Sequence, residues 1–292
     1  MVSIGLPTFN RPKGLERTIE YLIEQQYQNI EIIISDNCSS NPEVKLLLEK
    51  YSGIDERIKY FIQETNIEIE PNFNFVYQKS IGKYFMWISD DDVFCDNYIS
   101  ECVAFLEDHP DYFLCSGVSR YIKNNTFSFE ERKITYDESI SFVRLIKYYT
   151  RVFKNGVFYG VYRNTIKFES PIQKHIGGDW NHVARVALLG KINILDTIKI
   201  TRSDDGGSSS RRKIVSRWGS TGIQKIFFET YTAYQISKYL FNDPLFNSLY
   251  SPFIKKIIQT IIFILLNVKF IINFFTRRIA RFFLTPQSHA HQ

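Results

Sequence analysis

Short apolar runs alternate with amphipathic segments through the first third of the chain. Runs rich in β-branched and aromatic residues predict strands, and the segments between them have helical spacing. Strands that alternate with helices build parallel sheets with crossover helices, so the pattern predicts an α/β fold with a mostly parallel sheet flanked by helices. The predicted strands are Val2–Leu6, Ile30–Ser35, Ile58–Ile62 and Tyr84–Ser89, and the predicted helices are Gly14–Gln25, Pro42–Tyr51 and Asn72–Ser80.

The pattern is less regular beyond residue 92. It predicts helices at Tyr98–Leu106, Ser139–Tyr149 and Asp179–Leu189, and strands at Tyr112–Ser116, Val157–Tyr162 and Ile192–Ile200. A hairpin or excursion is expected at Thr126–Thr135, and a polar loop at Arg202–Lys213. Helical patterns then run over Ser216–Leu240 and Phe253–Leu284. We therefore expect a first domain over residues 1–215 and a C-terminal helical region over residues 216–292.

Polar clusters follow three of the predicted strands. The clusters are Thr8-Phe9-Asn10, Asp36-Asn37 and Asp90-Asp91-Asp92. Ligands of such sheets bind beyond the carboxyl ends of the strands. We expect the three clusters to line one crevice.

The net charge of +5 comes from the tail, because residues 251–292 contain six basic residues and no acidic ones. A local basic segment argues against nucleic-acid binding across a whole face, so no nucleic-acid partner is expected. The four cysteines have neither metal-site nor disulfide-framework spacing, which suits a reducing cytosol. The N-terminus lacks the pattern of a secretory signal. These features predict a cytoplasmic protein.

Three consecutive aspartates at Asp90–Asp92 repel one another unless a positive charge arrives. A hard divalent cation that bridges carboxylate and phosphate oxygens is a natural partner. The alternative is a solvated acidic turn that caps the following helix, since Asp favours N-caps.

Three motifs resemble those of family 2 glycosyltransferases, and they occur in that family's order and at its intervals. They are Pro7-Thr8-Phe9-Asn10-Arg11, Ser35-Asp36-Asn37-Cys38-Ser39-Ser40, and Gly82-Lys83 leading through the strand to Asp90-Asp91-Asp92. The resemblance covers roughly the first 120 residues well. It implies a GT-A fold, a nucleotide-sugar donor and an inverting transfer, with residues 1–92 as the donor-binding half and 93–215 as the acceptor side.

The resemblance also implies roles for single residues. The loop from Pro7 to Arg11 would cradle the nucleotide with help from Lys83, and Asp36 would accept a hydrogen bond from a uracil or thymine imide. Asp92 would ligate Mg²⁺ or Mn²⁺ directly, Asp90 would hold ribose or metal-bound water, and Asp91 is the least needed of the three. Asn66, Asn72 and Asn74 lie where relatives contact the nucleotide or sugar. The alternative for Asp36 is an N-cap of the Pro42 helix.

Further along, Asp179 follows Gly177-Gly178 where the family has its catalytic carboxylate. It is our candidate general base, with a helix N-cap as the alternative. The Thr201–Ser208 loop resembles a segment that usually carries a histidine metal ligand. It has no histidine, so Asp204 or Asp205 is the candidate replacement. Arg211 and Arg212 are candidates to contact the donor diphosphate, and a solvated loop is the alternative.

Residues 253–284 predict an amphipathic helix with a basic, polar half and an aliphatic and aromatic half. Lys269 interrupts the apolar run, so an interfacial helix on an anionic membrane surface is favoured over a spanning one. The alternative is a helix that packs on the protein or on a second copy of the chain, and a homo-oligomer stays open.

The sequence thus predicts a metal-dependent inverting glycosyltransferase. It would move a sugar from a UDP- or dTDP-sugar to a glycan or lipid-linked acceptor at the inner face of the cell membrane, in bacterial surface polysaccharide or oligosaccharide assembly. A sugar-phosphate nucleotidyltransferase is the second enzymatic hypothesis, although Pro7-Thr8-Phe9-Asn10 is not its Gly-rich basic loop. An inactive membrane-associated scaffold of the same fold is the non-enzymatic one.

Overall fold

The structure is a computed structural model, which describes residues 1–124, 126–165, 167–204, 214–215 and 222–284. For residues 223, 225 and 277–284 it describes the backbone alone. The chain divides into two compact units. The first comprises residues 1–174 and 178–214, and the second comprises residues 175–177 and 215–292. The functional domain boundaries expected from the sequence stay a prediction.

A mixed β-sheet forms the centre of the first unit. Its strands, in chain order, are β1 (Val2–Thr8), β2 (Ile30–Asp36), β3 (Ile58–Ile62), β4 (Tyr84–Trp87), β5 (Val93–Phe94), β6 (Tyr112–Lys123), β7 (Thr126–Glu130), β8 (Val161–Arg163) and β9 (Lys191–Ser203). They lie side by side in the order β3-β2-β1-β4-β8-β6-β9-β5, with β7 paired to β6. Strands β1 to β4 are mutually parallel, and β8 pairs antiparallel with both β4 and β6.

Helices connect these strands as the apolar spacing predicts. They are α1 (Pro12–Ile23), α2 (Pro42–Ile54), α3 (Ile69–Gln78), α4 (Tyr98–Asp108), α5 (Ser141–Arg151) and α6 (Gly178–Leu189). A hydrophobic core cluster joins the apolar side chains of β1, β2 and β4 to those of α1, α2 and α4. Every residue of β1 and β2 is buried, as expected of strands that are covered on both faces of the sheet.

Three sequence predictions are corrected. The predicted strand Val157–Tyr162 is a 3₁₀ turn (Gly156–Tyr159) followed by the short β8, because the backbone turns at Asn155, which has a left-handed conformation. The predicted loop does not begin at Arg202, because β9 pairs with β6 as far as Ile122 and continues to Ser203. The strand β5 is absent from the prediction, since it is only two residues long.

Helices make up most of the described part of the second unit. It contains α7 (Gly222–Ile226), α8 (Phe228–Phe241), α9 (Pro244–Leu249) and α10 (Pro252–Leu284). The predicted helix Ser216–Leu240 is therefore interrupted at Phe227, and residues 216–221 lie outside the described part. One stripe of α10 (Ile258, Ile262 and Leu266) is buried, and Thr230 of α8 donates a hydrogen bond to Asn267. Pro252–Thr276 is long and apolar enough to cross a membrane by length and composition alone.

Candidate active site

The loops after β1 and β2 are joined by Ser39. Thr8 and Asp36 are register partners at the carboxyl ends of these parallel strands. The Ser39 amide and hydroxyl both donate to the Asp36 carboxylate, and Ser39 Oγ accepts from the Asn10 amide at 2.7 Å. The α2 helix has its own cap, since Asn41 accepts from the amide of Glu43. Asp36 is therefore not the N-cap of that helix, and its carboxylate lies at the sheet edge.

The acidic run follows β4 at the same edge. Asp90 Oδ2 accepts from the Thr8 hydroxyl at 2.9 Å, which ties the run to the end of β1. Arg11 Nη1 lies 2.8 Å from Asp90 Oδ1 and 3.2 Å from Asp91 Oδ2. Asp91 also accepts from Ser89 Oγ at 2.6 Å and is partly exposed, whereas Asp90 is buried. Pro7 belongs to β1, and Phe9 lies exposed beside this edge.

Burial dominates the electrostatics of both outer aspartates. Desolvation raises the pKa of Asp90, although Arg11 opposes the shift. It raises the pKa of Asp92 to about 6, against the lowering effect of Arg202. Arg202 Nε lies 3.2 Å from Asp92 Oδ1 and 3.4 Å from Asp92 Oδ2. Each acidic side chain of this run therefore has an arginine partner, but at Asp90 and Asp92 the pairing does not fully offset the loss of water.

Asp179 lies in the first turn of α6 and shares the electrostatic surroundings of Asp92. Burial raises the pKa of Tyr159, and the charges of Asp91, Asp92 and Asp179 raise it further, while Arg202 lowers it. All four charges thus act on one tyrosine side chain. Burial also raises the pKa of Asp179 itself. A raised carboxyl pKa suits a group that must take a proton near neutral pH.

Asn155 holds the Asp179 carboxylate. Its Nδ2 donates to Asp179 Oδ2 at 2.9 Å, and its Oδ1 accepts from the Tyr148 hydroxyl at 2.8 Å. The Glu131 carboxylate accepts from the backbone amides of Lys154 and Gly156, at 2.8 and 2.9 Å. Glu131 thereby clamps the backbone on both sides of Asn155.

Lys83, which was predicted to help bind the nucleotide, forms an ion pair away from the other site residues. Lys83 precedes β4, at the opposite edge of the sheet from Asp90, and pairs with Glu107 at 2.6 Å. The structure does not bring Lys83 to the site, and we leave it out of the proposed one.

Three asparagines that were predicted to contact the nucleotide-sugar donor form hydrogen bonds within the protein. Asn72 exchanges hydrogen bonds with Ser35, at 2.6 Å from the Ser35 hydroxyl and 3.1 Å to its carbonyl. Asn66 accepts from the Asn37 amide group, and Asn74 pairs with the backbone of Ile172. Their predicted donor contacts stay predictions.

The later polar loop is only partly described. Asp204 forms an ion pair with Lys154 at 2.8 Å, so its carboxylate already has a cationic partner. Asp205, Arg211 and Arg212 lie outside the described residues. Within the described part of the chain, no group of three or more His, Cys, Asp or Glu side chains is close enough to hold a metal ion. The structure therefore does not identify a substitute for the missing histidine.

The donor set at Asp90 and Asp92 nevertheless fits a hard divalent cation. Mg²⁺ is usually held by one or two protein carboxylates together with substrate phosphates and water, rather than by a complete protein cage. The pKa of Asp92 stays raised even beside Arg202, so a second positive charge would further stabilise the ionised, buried carboxylate. The two carboxylates would hold the cation, and the remaining ligands would come from a bound diphosphate and water.

Sequence reasoning missed Arg202, Asn155 and Glu131. The dipeptide Asn155-Gly156 is a turn signal that could have placed a break at this point. Arg202 follows the predicted strand Ile192–Ile200 in a polar stretch, so the sequence carries no signal that it pairs with Asp92. Glu131 stands in a charged run and carries no comparable signal.

Residues 3–173 match the family model described as glycosyl transferase family 2, which is more than half of the chain. The chain belongs to glycosyl transferase family 2. This glycosyltransferase is 34% identical over 93 residues to the GalNAc(5)-diNAcBac-PP-undecaprenol beta-1,3-glucosyltransferase of Campylobacter jejuni, covering 31% of this chain and 29% of that protein. It spans less than two thirds of the length of the first curated relatives it matches.

Solved structures show the same fold for this glycosyltransferase. S. aureus TarS 1-349 in complex with UDP-GlcNAc superposes with a TM-score of 0.59 at 15% identity, over 88% of this chain and 70% of that one. The mannosyltransferase PcManGT from Pyrobaculum calidifontis, in complex with GDP-Man and Mn²⁺, gives 0.54 at 11% identity, over 92% and 73%. These likenesses confirm the predicted GT-A fold.

Proposed function

We propose that this family 2 glycosyltransferase moves a sugar with inversion from a UDP- or dTDP-sugar to a glycan or lipid-linked acceptor in bacterial surface polysaccharide or oligosaccharide assembly. One observation carries the proposal. Asp36 and Asp90 lie at the carboxyl ends of β2 and β4, on either side of β1, whose Thr8 is the register partner of Asp36 and donates to Asp90. The charges of Asp92 and Asp179 both act on Tyr159. The TarS neighbour was solved with UDP-GlcNAc, and the Campylobacter relative is named for a lipid-linked acceptor.

The nucleotide would lie across the ends of β1 and β2. Asp36 offers a carboxylate acceptor to an imide N–H, and Ser39 holds that carboxylate in place through two donors. Phe9, which follows Thr8 in the chain, presents an exposed ring. Arg11 is half exposed and already oriented toward the acidic run, so it can turn to a phosphate oxygen without leaving the site.

The transfer itself would use Asp179 as general base. It takes the proton from the acceptor hydroxyl as that oxygen attacks the anomeric carbon, while the bond from that carbon to the nucleoside diphosphate breaks. Asn155 donates a hydrogen bond to one carboxylate oxygen of Asp179. Burial raises the pKa of Asp179 toward the working pH. A divalent cation held by Asp90 and Asp92 would stabilise the negative charge of the departing diphosphate.

A panel of nucleotide sugars, incubated with the protein and Mn²⁺, tests this proposal. We expect hydrolysis or transfer with a UDP- or dTDP-sugar, and NMR of the first product should show the anomeric configuration opposite to the donor's. Retention of configuration would contradict the inverting mechanism. If the protein bound nucleotide sugars but turned over none of those in the panel, the result would favour an inactive scaffold.

We further propose that α10 binds the inner surface of the cell membrane as a peripheral helix. One stripe is buried and packs within the second unit, so the opposite stripe remains for another partner. That stripe is apolar and exposed over its described length, and it consists of Ile257, Ile264, Val268, Ile271, Ile272 and Phe275. A helix that packs by one side and exposes apolar side chains on the other fits an interfacial position better than a spanning one.

Vesicle co-sedimentation tests the membrane proposal. The double substitution Ile264→Glu and Val268→Glu places two charges in the apolar stripe and should abolish binding to anionic vesicles. Leu46→Glu, at an exposed position of α2, is the matched control and should sediment like the wild type. Equal sedimentation of all three proteins would refute this role of α10.

A further inference from the structure

Three contacts fix the position of the Arg202 guanidinium, and one of them is with Asp92. Its Nε donates to the Asp92 carboxylate, and its Nη1 donates to the Tyr121 hydroxyl at 3.2 Å. The guanidinium carbon lies 3.9 Å from the centre of the Tyr159 ring, at the distance of a cation–π contact. Both members of the ion pair are largely buried, with 15% of the Arg202 side chain and 1% of the Asp92 side chain exposed. Arg202 is thus a fixed charge rather than a mobile surface one.

This contact occupies the carboxylate that would ligate the donor's cation. A cation approaching alone meets a carboxylate that is already paired, and a guanidinium within a few ångströms that repels it. A nucleoside diphosphate changes both conditions. It brings several negative charges, and it offers Arg202 new acceptors in the bidentate geometry that guanidinium groups favour.

We propose that Arg202 is the resident counter-charge of Asp92 and makes divalent-cation binding conditional on the nucleoside diphosphate. Without nucleotide, Arg202 pairs with Asp92 and keeps the cation affinity low. With nucleotide, Arg202 turns to the phosphates and the cation takes Asp92. The inference rests on the proposed function, because it requires that a nucleoside diphosphate binds at this site.

Mn²⁺ binding, followed by electron paramagnetic resonance with and without UDP, tests the proposal without reference to turnover. The wild type should bind Mn²⁺ weakly alone and at least about tenfold more tightly with UDP. Arg202→Gln should bind Mn²⁺ alone about tenfold more tightly than the wild type. Arg202→Lys keeps the charge and should remain close to the wild type.

Two further variants keep the test sharp. Tyr121→Phe removes one donor–acceptor contact of Arg202 while leaving the charge in place, so it should raise the Mn²⁺ affinity by a smaller factor and covers the case that Arg202→Gln does not fold. Arg57→Gln is the matched control, because Arg57 forms a similarly buried pair with Asp55 at 2.6 Å, away from the site. It should leave Mn²⁺ binding unchanged.

The outcomes separate the inference from the function on which it rests. Equal Mn²⁺ affinities of the wild type and Arg202→Gln without UDP would overturn the inference while leaving the proposed function in place. Tight Mn²⁺ binding by the wild type without UDP would do the same. Failure of both UDP and dTDP to bind the wild type, with or without Mn²⁺, would overturn the proposed function and this inference together.

Discussion

Asn155→Gly is expected to impair the proposed general base, Asp179, without straining the backbone. Asn155 has a left-handed backbone (φ 58°), which glycine adopts without strain, so the substitution removes only the side chain. What is lost is the 2.9 Å hydrogen bond to the buried Asp179 carboxylate and the acceptor for the Tyr148 hydroxyl. A hydrogen bond to a charged group contributes about 1.5–3 kcal/mol.

That magnitude corresponds to a fall in kcat/KM at neutral pH of about tenfold to a hundredfold. The sign of the pH effect follows from the same contact. Asn155 donates to the ionised carboxylate and so lowers the pKa of Asp179, opposing the larger raising effect of burial. Without Asn155 this pKa rises further, the base stays protonated to a higher pH, and the acidic limb of the profile moves to higher pH.

The assay is kcat/KM for nucleotide-sugar turnover across the pH range, with thermal unfolding measured in parallel. Asn124→Gly is the matched control, since Asn124 also has a left-handed backbone (φ 49°) but lies at the turn between β6 and β7. It should leave both the rate and the acidic limb unchanged. If Asn155→Gly lowered kcat/KM by the same factor at every pH, and the acidic limb of the pH profile did not move, the proposal that Asn155 positions the base would be refuted.

Three other substitutions test the placement of the site. Gly14→Ala would put a methyl group 2.3 Å from the backbone oxygen of Asp90 and should weaken UDP binding in calorimetry, whereas Gly53→Ala, in open space, should bind normally. Lys83→Ala should leave UDP affinity within about twofold, because its position is at the far edge of the sheet; a larger loss would return it to the donor site. Asn41→Ala removes the cap of α2 and should lower the free energy of unfolding by about 1 kcal/mol in urea titrations, and no change would mean that the cap is idle.

The placement of Thr8, Asp36 and Asp90 near one another was predictable because parallel strands end at one edge of the sheet. Thr8, Asp36 and Asp90 follow three apolar runs, and runs of that kind place whatever follows them at the same edge. Lys83 shows the limit of motif matching. It stands in the same motif as Asp90, but a strand separates the two, so they lie at opposite ends of it.

The surroundings of Asp179 and Arg202 were less predictable because the residues come from distant elements. Asp179 begins a helix about ninety residues after Asp90, and only the family resemblance suggested that the two share a site. Arg202 belongs to a strand whose length depends on pairing with β6, which the local polar composition concealed. The turn at Asn155 depends on Glu131, and such a clamp between distant residues leaves no periodic pattern in the sequence.

The role of the acidic run is tested most directly by turnover of the preferred nucleotide sugar, with Mn²⁺, in Asp92→Ala and Asp179→Asn beside the wild type. We predict that Asp92→Ala loses at least about a hundredfold in kcat/KM, and that Asp179→Asn loses as much while still binding UDP like the wild type. Turnover that persists undiminished in Asp92→Ala would contradict the account.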